Sequence, residues 1–310
     1  MTRVSNFSGV IAPVLTPFDE TGAPDVARFV AHAKWCLDEG CTALAPFGTT
    51  SEANSLGMDE RMALLEALTG SGIEAKKLMP GNGMCSVPDT VTLTRHALAQ
   101  GVGGVLMLPP FYYKGISDDG IFNFFANVID QVGDKQLKVY LYHIPPQAMV
   151  GFSLDLIGRL LKAYPGTVAG LKDSSGDWSN TQAILKAYAG DGFEVFPGAE
   201  TSLLPALRLG GKGCISATAN VAARAIRQVF DNWQGKDAGA LQDKITATRT
   251  AIQAYPVIPV MKAMIAHYKG DPGWARVRPP FIALPKAQAD AAIAELANAH
   301  GFRLNDANAA

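Results

Sequence analysis

The chain has 310 residues, 48% hydrophobic and 18% charged, which is enough apolar material for a large core and carries no signature of disorder. Its 27 Lys and Arg balance 28 Asp and Glu for a net charge of −1, so nothing electrostatic favours a nucleic acid or an anionic membrane as partner. Four cysteines without CxxC spacing argue against a disulfide framework or a metal site. No uncharged apolar stretch is long enough for a membrane span, and residues 1–7 lack an apolar segment behind a basic patch. A small-molecule partner and a cytoplasmic location are the resulting expectations.

In chain order, apolar runs of strand length alternate with stretches of helical periodicity. The predicted strands are Gly9–Phe18, Thr42–Phe47, Lys77–Gly81, Gly104–Pro109, Lys138–Ile144, Val168–Lys172, Phe193–Phe196 and Gly213–Ser216. Between them lie predicted helices that include Asp59–Thr69, Val87–Gln100, Asp119–Val132, Leu154–Tyr164, Asp177–Ala189, Ser202–Leu209 and Val221–Trp233. Parallel neighbours need a crossover, and helices must cover such a sheet, so eight strand–helix units predict an α/β fold, a closed (β/α)8 TIM barrel, over residues 1–233. An open doubly wound sheet is the rival, but no G-x-G-x-x-G follows the first strand. From Trp233 onward the pattern is helix alone, at Asp237–Tyr255, Val257–Tyr268 and Ala287–Ala299, so residues 234–310 are expected to form a C-terminal helical appendage.

Barrel enzymes carry their chemistry at the C-terminal ends of the strands. There the chain places Thr16, the run Gly48-Thr49-Thr50-Ser51-Glu52, Asn82, Pro110-Phe111-Tyr112-Tyr113, Tyr142-His143, Lys172-Asp173, Glu200 and Ile215-Ser216. Lys172 stands out, because the apolar Val168–Leu171 precedes it and burying an ammonium is costly unless it is paired, neutralised or used. A desolvated lysine favours its neutral amine, which can attack a ketone to give a Schiff base; snorkelling, or an ion pair with Asp173, is the plainer reading. Tyr142 ends the neighbouring strand, within reach of Lys172 at an inter-strand spacing of about 5 Å. A tyrosine held by a hydroxyl such as that of Thr49 can shuttle the protons that imine formation requires.

These residues, in this order and at these strands, resemble the dihydrodipicolinate synthase and N-acetylneuraminate lyase superfamily of class I, Schiff-base pyruvate aldolases. The resemblance rests on Thr16-Pro17-Phe18, Gly48–Glu52, Tyr142-His143-Ile144-Pro145, Gly170–Ser175 and Gly213–Ser216, and covers nearly the whole chain. It implies a lyase, an aldolase or dehydratase, that joins Lys172 to pyruvate or a related 2-oxo acid, with Tyr142 as general acid and base and Thr49 relaying its proton. Thr50, with nearby backbone amides such as that of Gly48, would hold the carboxylate, and Ile215 and Ser216 would line the pyruvyl pocket. His143 would shape the site. Tyr112, with Tyr113 the alternative, would reach across to a neighbouring subunit's site, making the protein a homo-oligomer, commonly a dimer of dimers. Neither cofactor nor metal is implied.

The match departs from the synthases where they usually carry an arginine for the second substrate's carboxylate. Here Gln147 stands, and a neutral amide lacks the charged fork. Ser51 replaces the usual glycine, and Met58 and Arg61 fall where feedback-binding histidines are common, so lysine inhibition is not expected. The alternatives are 4-hydroxy-tetrahydrodipicolinate synthase, condensing pyruvate with aspartate semialdehyde, and a non-catalytic keto-acid-binding protein.

Overall fold

The structure, a computed structural model, describes residues 6–299 and 301–304; the N-terminal segment 1–5 weighed above lies outside them. Its strands are β1 (Gly9–Ala12), β2 (Ala43–Leu44), β3 (Val105–Met107), β4 (Val139–His143), β5 (Val168–Asp173), β6 (Glu194–Pro197) and β7 (Gly213–Ile215). The helices are α1 (Val26–Asp38), α2 (Met58–Gly70), α3 (Val87–Ala99), α4 (Asp118–Val132), α5 (Pro145–Ala148), α6 (Leu154–Ala163), α7 (Trp178–Tyr188), α8 (Leu203–Arg208), α9 (Ala219–Asp231), α10 (Ala238–Gln253), α11 (Val257–Lys269) and α12 (Lys286–Ala299). All strand pairings are parallel, in the orders β2-β1-β7 and β3-β4-β5-β6.

The ring closes through two weaker seams. Residues 78–81 bridge β2 to β3 through Leu44↔Leu78 and Gly81↔Leu106, and Lys212 N donates to Val195 O at 3.0 Å between β6 and the start of β7. The predicted strand Lys77–Gly81 is therefore reduced to isolated bridges, because Pro80 has no N–H to give a ladder and Lys77 belongs to a 3₁₀ turn. The first predicted strand likewise stops at Ala12. Pro13 and Pro17 cannot donate, and Leu15 N turns instead to Asn220 Oδ1 at 2.9 Å, while Asn220 Nδ2 donates back to Pro13 O at 3.0 Å.

Side chains of alternate strand residues divide between two packed regions. Ile11, Ala43, Met79, Leu106, Tyr140, Tyr142, Phe196 and Ile215 fill the barrel interior, while Val10, Leu44, Val105, Leu141, Val168, Leu171 and Val195 pack under the helices. Phe7 plugs the N-terminal end. Glu194 there accepts from Asn6 N and Tyr140 OH, both at 2.7 Å. Buried residues of α10, α11 and α12, such as Ile252, Met264 and Ile293, belong to the same core as the outer faces of the strands.

A register shift decides where the sixth predicted strand points. Val139 pairs with Val168, but Tyr140 pairs with Gly170, so Ala169 is an extra residue between them. Without that bulge, period-two alternation would put position 172 on the same face as Val168, beneath the helices. With it, Gly170 and Lys172 face the barrel interior beside Tyr140 and Tyr142. Gly170 must lack a side chain, since a Cβ there would lie 2.3 Å from Glu194 O.

His32 on α1 shows the cost of burying a titratable ring. It stacks on Trp35 and meets Trp274 edge to face, its Nε2 lies 3.0 Å from Asn220 Oδ1, and burial pushes its pKa down to about 3. Below its ordinary value of 6.5 the unfolded chain takes up a proton that the folded chain refuses until about pH 3, so stability falls with acidification across that window. Urea unfolding at a series of pH values between 6 and 4 is expected to show an acid slope shallower by about 1.4 kcal/mol per pH unit in His32→Gln than in the wild type.

Candidate active site

The open end of the barrel holds a cavity of about 470 Å³, in the size range of small-molecule sites, whose wall includes Thr49, Thr50, Tyr142, Gln147 and Lys172. Lys172 is only 4% exposed, and its Nζ sits 4.3 Å from the centre of the Tyr142 ring, against the electron-rich face. No carboxylate among the described residues pairs with it. Asp173 is engaged elsewhere, accepting from Ser175 N at 2.9 Å, Asn180 Nδ2 at 3.0 Å and Thr181 Oγ1 at 2.6 Å. The ion pair between Lys172 and Asp173 entertained from sequence is therefore absent.

Tyr142 lies opposite Lys172 in the β4–β5 register, and its phenolic oxygen is 3.1 Å from Thr49 Oγ1. This gives an amine, a phenol and a hydroxyl in series at the cavity wall. Thr49 and Thr50 come from a tight turn whose flanking residues, Phe47 and Glu52, take φ of 63° and 57°, left-handed conformations that cost non-glycine residues about 1–2 kcal/mol each. The turn is held in place from several sides. Thr16 Oγ1 donates to Ser51 O at 2.7 Å, and a Cβ on Gly81 would lie 2.1 Å from Phe47 O.

Glu52 receives a hydrogen bond from Lys262 of α11, and both side chains are fully buried. Burial pulls the Lys262 pKa down to about 8 against the opposing pull of Glu52. Lys262→Met would leave the Glu52 carboxylate buried without its counter-charge. A loss of about 3–5 kcal/mol in urea-unfolding stability is expected, and a loss under 1 kcal/mol would show that the pair does not anchor the turn.

Other expected site residues fall differently. His143 does not shape this cavity: alternation along β4 turns it away from Tyr142, toward Gly151 and Phe152, where Nδ1 accepts from Phe152 N at 2.9 Å and burial lowers its pKa. Gly48 lines a small adjoining crevice, shared with Arg61 and backed by Thr49 and Tyr142, instead of the main cavity. Ile215 is buried in the barrel interior with Tyr142, and Ala217 is the residue of that stretch on the cavity wall. Ser216 is buried and spends its hydroxyl on Glu200, not on the cavity. Tyr112 and Tyr113 stand 73% and 71% exposed, stacked edge to face on each other and outside the wall.

Sequence reading missed the contribution of the C-terminal helices. Arg249 and Gln253 of α10 and Ile258 of α11 line the cavity, brought there by packing of the appendage across the barrel mouth. Among the described residues, no group of three or more His, Cys, Asp and Glu is placed to hold a metal ion, and no helix is long and apolar enough to cross a membrane.

A family model described as the dihydrodipicolinate synthetase family matches residues 6–299. Among curated proteins, the 4-hydroxy-tetrahydrodipicolinate synthase of Agrobacterium fabrum is 32% identical over 292 residues, covering 93% of this chain and 96% of that one. A DapA-like lyase of Chloroflexus aurantiacus is 31% identical over 259 residues, covering 83% and 85%. Among solved structures, dihydrodipicolinate synthase from Agrobacterium tumefaciens superposes with a TM-score of 0.87 at 33% identity, over 94% of this chain and 98% of that one. YagE from Escherichia coli K12, a member of the same family solved in complex with pyruvate, superposes at 0.86 with 25% identity, over 94% and 97%. With a barrel of parallel strands and a family match along nearly its whole length, the chain belongs to the dihydrodipicolinate synthetase family of lyases.

Proposed function

We propose that this protein is a metal-independent Schiff-base lyase that acts on pyruvate or a related 2-oxo acid through Lys172. The observation that carries the reading is the buried Lys172 amine, without a carboxylate partner among the described residues, beside Tyr142, whose phenol is hydrogen-bonded to Thr49, in the wall of one cavity. The neutral amine adds to C2 of the oxo acid, and the Tyr142 phenol protonates the carbinolamine oxygen, which leaves as water. The iminium then accepts the electron pair of a C3–H bond or of a breaking C3–C4 bond, giving an enamine. Tyr142 and Thr49 move the proton that this step releases or requires. Thr50, on the same turn, is suited to the substrate carboxylate.

The names of the relatives favour one specific alternative, condensation of pyruvate with aspartate semialdehyde. Against it stands Gln147, whose neutral amide lines the cavity where an anion-binding arginine would serve. Two large exposed rings side by side, Tyr112 and Tyr113, support assembly with a second copy of the chain. Four free cysteines are in keeping with a reducing, cytoplasmic setting.

The test is exchange of the pyruvate methyl protons in deuterium oxide, followed by proton NMR. The imine reading requires enzyme-dependent loss of the methyl signal, undiminished by a chelator. Absence of exchange with pyruvate and with longer 2-oxo acids favours the non-catalytic binding protein, and loss of exchange with chelator favours metal chemistry.

A further inference from the structure

The cavity around Lys172 is also lined by Arg249, which no step of the proposed chemistry uses. A guanidinium offers five N–H donors and keeps its charge at any physiological pH. Arg249 is 8% exposed, yet among the described residues Nη1 reaches only Ser216 Oγ at 3.4 Å and Glu200 Oε2 at 3.8 Å, both longer than a good charge-assisted bond. Its Nε is buried with no partner among the described residues. The two oxygens of Glu200 also accept from Ser216 and Thr218, which share the carboxylate with the guanidinium.

Lys172 and Arg249 are the two basic side chains among the described wall residues. The wall also carries Asp173 and Asp177, and both carboxylates accept local hydrogen bonds, Asp177 from Ser179 N at 2.8 Å. Glu200 backs the guanidinium from behind. At about 470 Å³ the cavity has room for more than a pyruvyl unit. A buried, donor-rich cation at the wall of such a cavity is complementary to an anionic group on its occupant.

We propose that Arg249 binds a second carboxylate, at the end of the substrate remote from its oxo group, and so selects 2-oxo diacids over 2-oxo acids with a neutral tail. The inference rests on the Schiff-base reading for the oxo end. It moves the anion-binding charge from the β4 side, where Gln147 stands, to α10 of the C-terminal helices.

The experiment is isothermal titration of 2-oxoadipate and of 2-oxohexanoate, equal in chain length and different in the distal carboxylate, into wild type, Arg249→Gln and Arg249→Lys. Reading the ratio of the two affinities within each protein cancels a general change in the pocket. Wild type is expected to favour the diacid by about tenfold or more, since a hydrogen bond to a charged group contributes about 1.5–3 kcal/mol. Arg249→Gln should bring the ratio to near one, and Arg249→Lys, which keeps a charge and loses the fork, should fall between. No preference in wild type, or a preference that survives in Arg249→Gln, overturns the assignment. Borohydride trapping of pyruvate on wild type separates the two ideas: without an adduct the imine reading fails, while loss of the diacid preference in Arg249→Gln still upholds Arg249.

Discussion

Lys172→Ala is expected to lower turnover by at least about 10⁴-fold, because the amine is the group that becomes covalently joined to substrate and no neighbour can replace it. The fold should tolerate the change. Lys172 has no carboxylate partner among the described residues, so truncation strands no buried counter-charge, and its head faces an open cavity whose enlargement leaves no sealed void. The melting temperature is therefore expected to stay within a few degrees of wild type or to rise. Turnover and a melting curve measured on the same preparation check both halves. Substantial remaining activity would remove Lys172 from the chemistry, and loss of folding would make it a structural residue.

Tyr142→Phe is expected to reduce kcat by about 10²–10⁴-fold, the range for a positioned general acid and base. The ring remains to pack in the barrel interior and over Lys172, and only the phenolic oxygen facing Thr49 disappears. Imine formation should consequently be slowed and not abolished. Time-resolved borohydride trapping ought to show a slow approach to the endpoint that wild type reaches quickly. An unchanged rate would mean that water, and not Tyr142, carries the proton; a lost endpoint would mean that Tyr142 positions Lys172 instead of serving it.

Much of the barrel was legible because parallel strands buried on both faces read as apolar runs, and each is followed by a helix with its own polar face. Two of the largest boundary changes fall at prolines. Pro13, Pro17 and Pro80 cannot donate to a ladder, and the β1 and 78–81 segments shrink accordingly. The orientation of Lys172 was not legible: counting from Val168 points it beneath the helices, and only the extra residue Ala169 turns it inward beside Tyr142. The opposite error befell His143, where simple alternation from Tyr142 would have given the outward face that the structure shows. The part played by Arg249 and by the Lys262–Glu52 pair depends on long-range packing of α10 and α11 over the barrel mouth, which leaves no local pattern to read.

Formation of the covalent bond to substrate by the Lys172 amine is the step on which the chemistry depends. It is tested most directly by incubating the protein with pyruvate, reducing with borohydride, digesting and sequencing the modified peptide by mass spectrometry. One reduced pyruvyl group per chain is expected, located on Lys172 and absent when pyruvate or borohydride is omitted. An adduct on another lysine, or none with pyruvate or any longer 2-oxo acid, would contradict it.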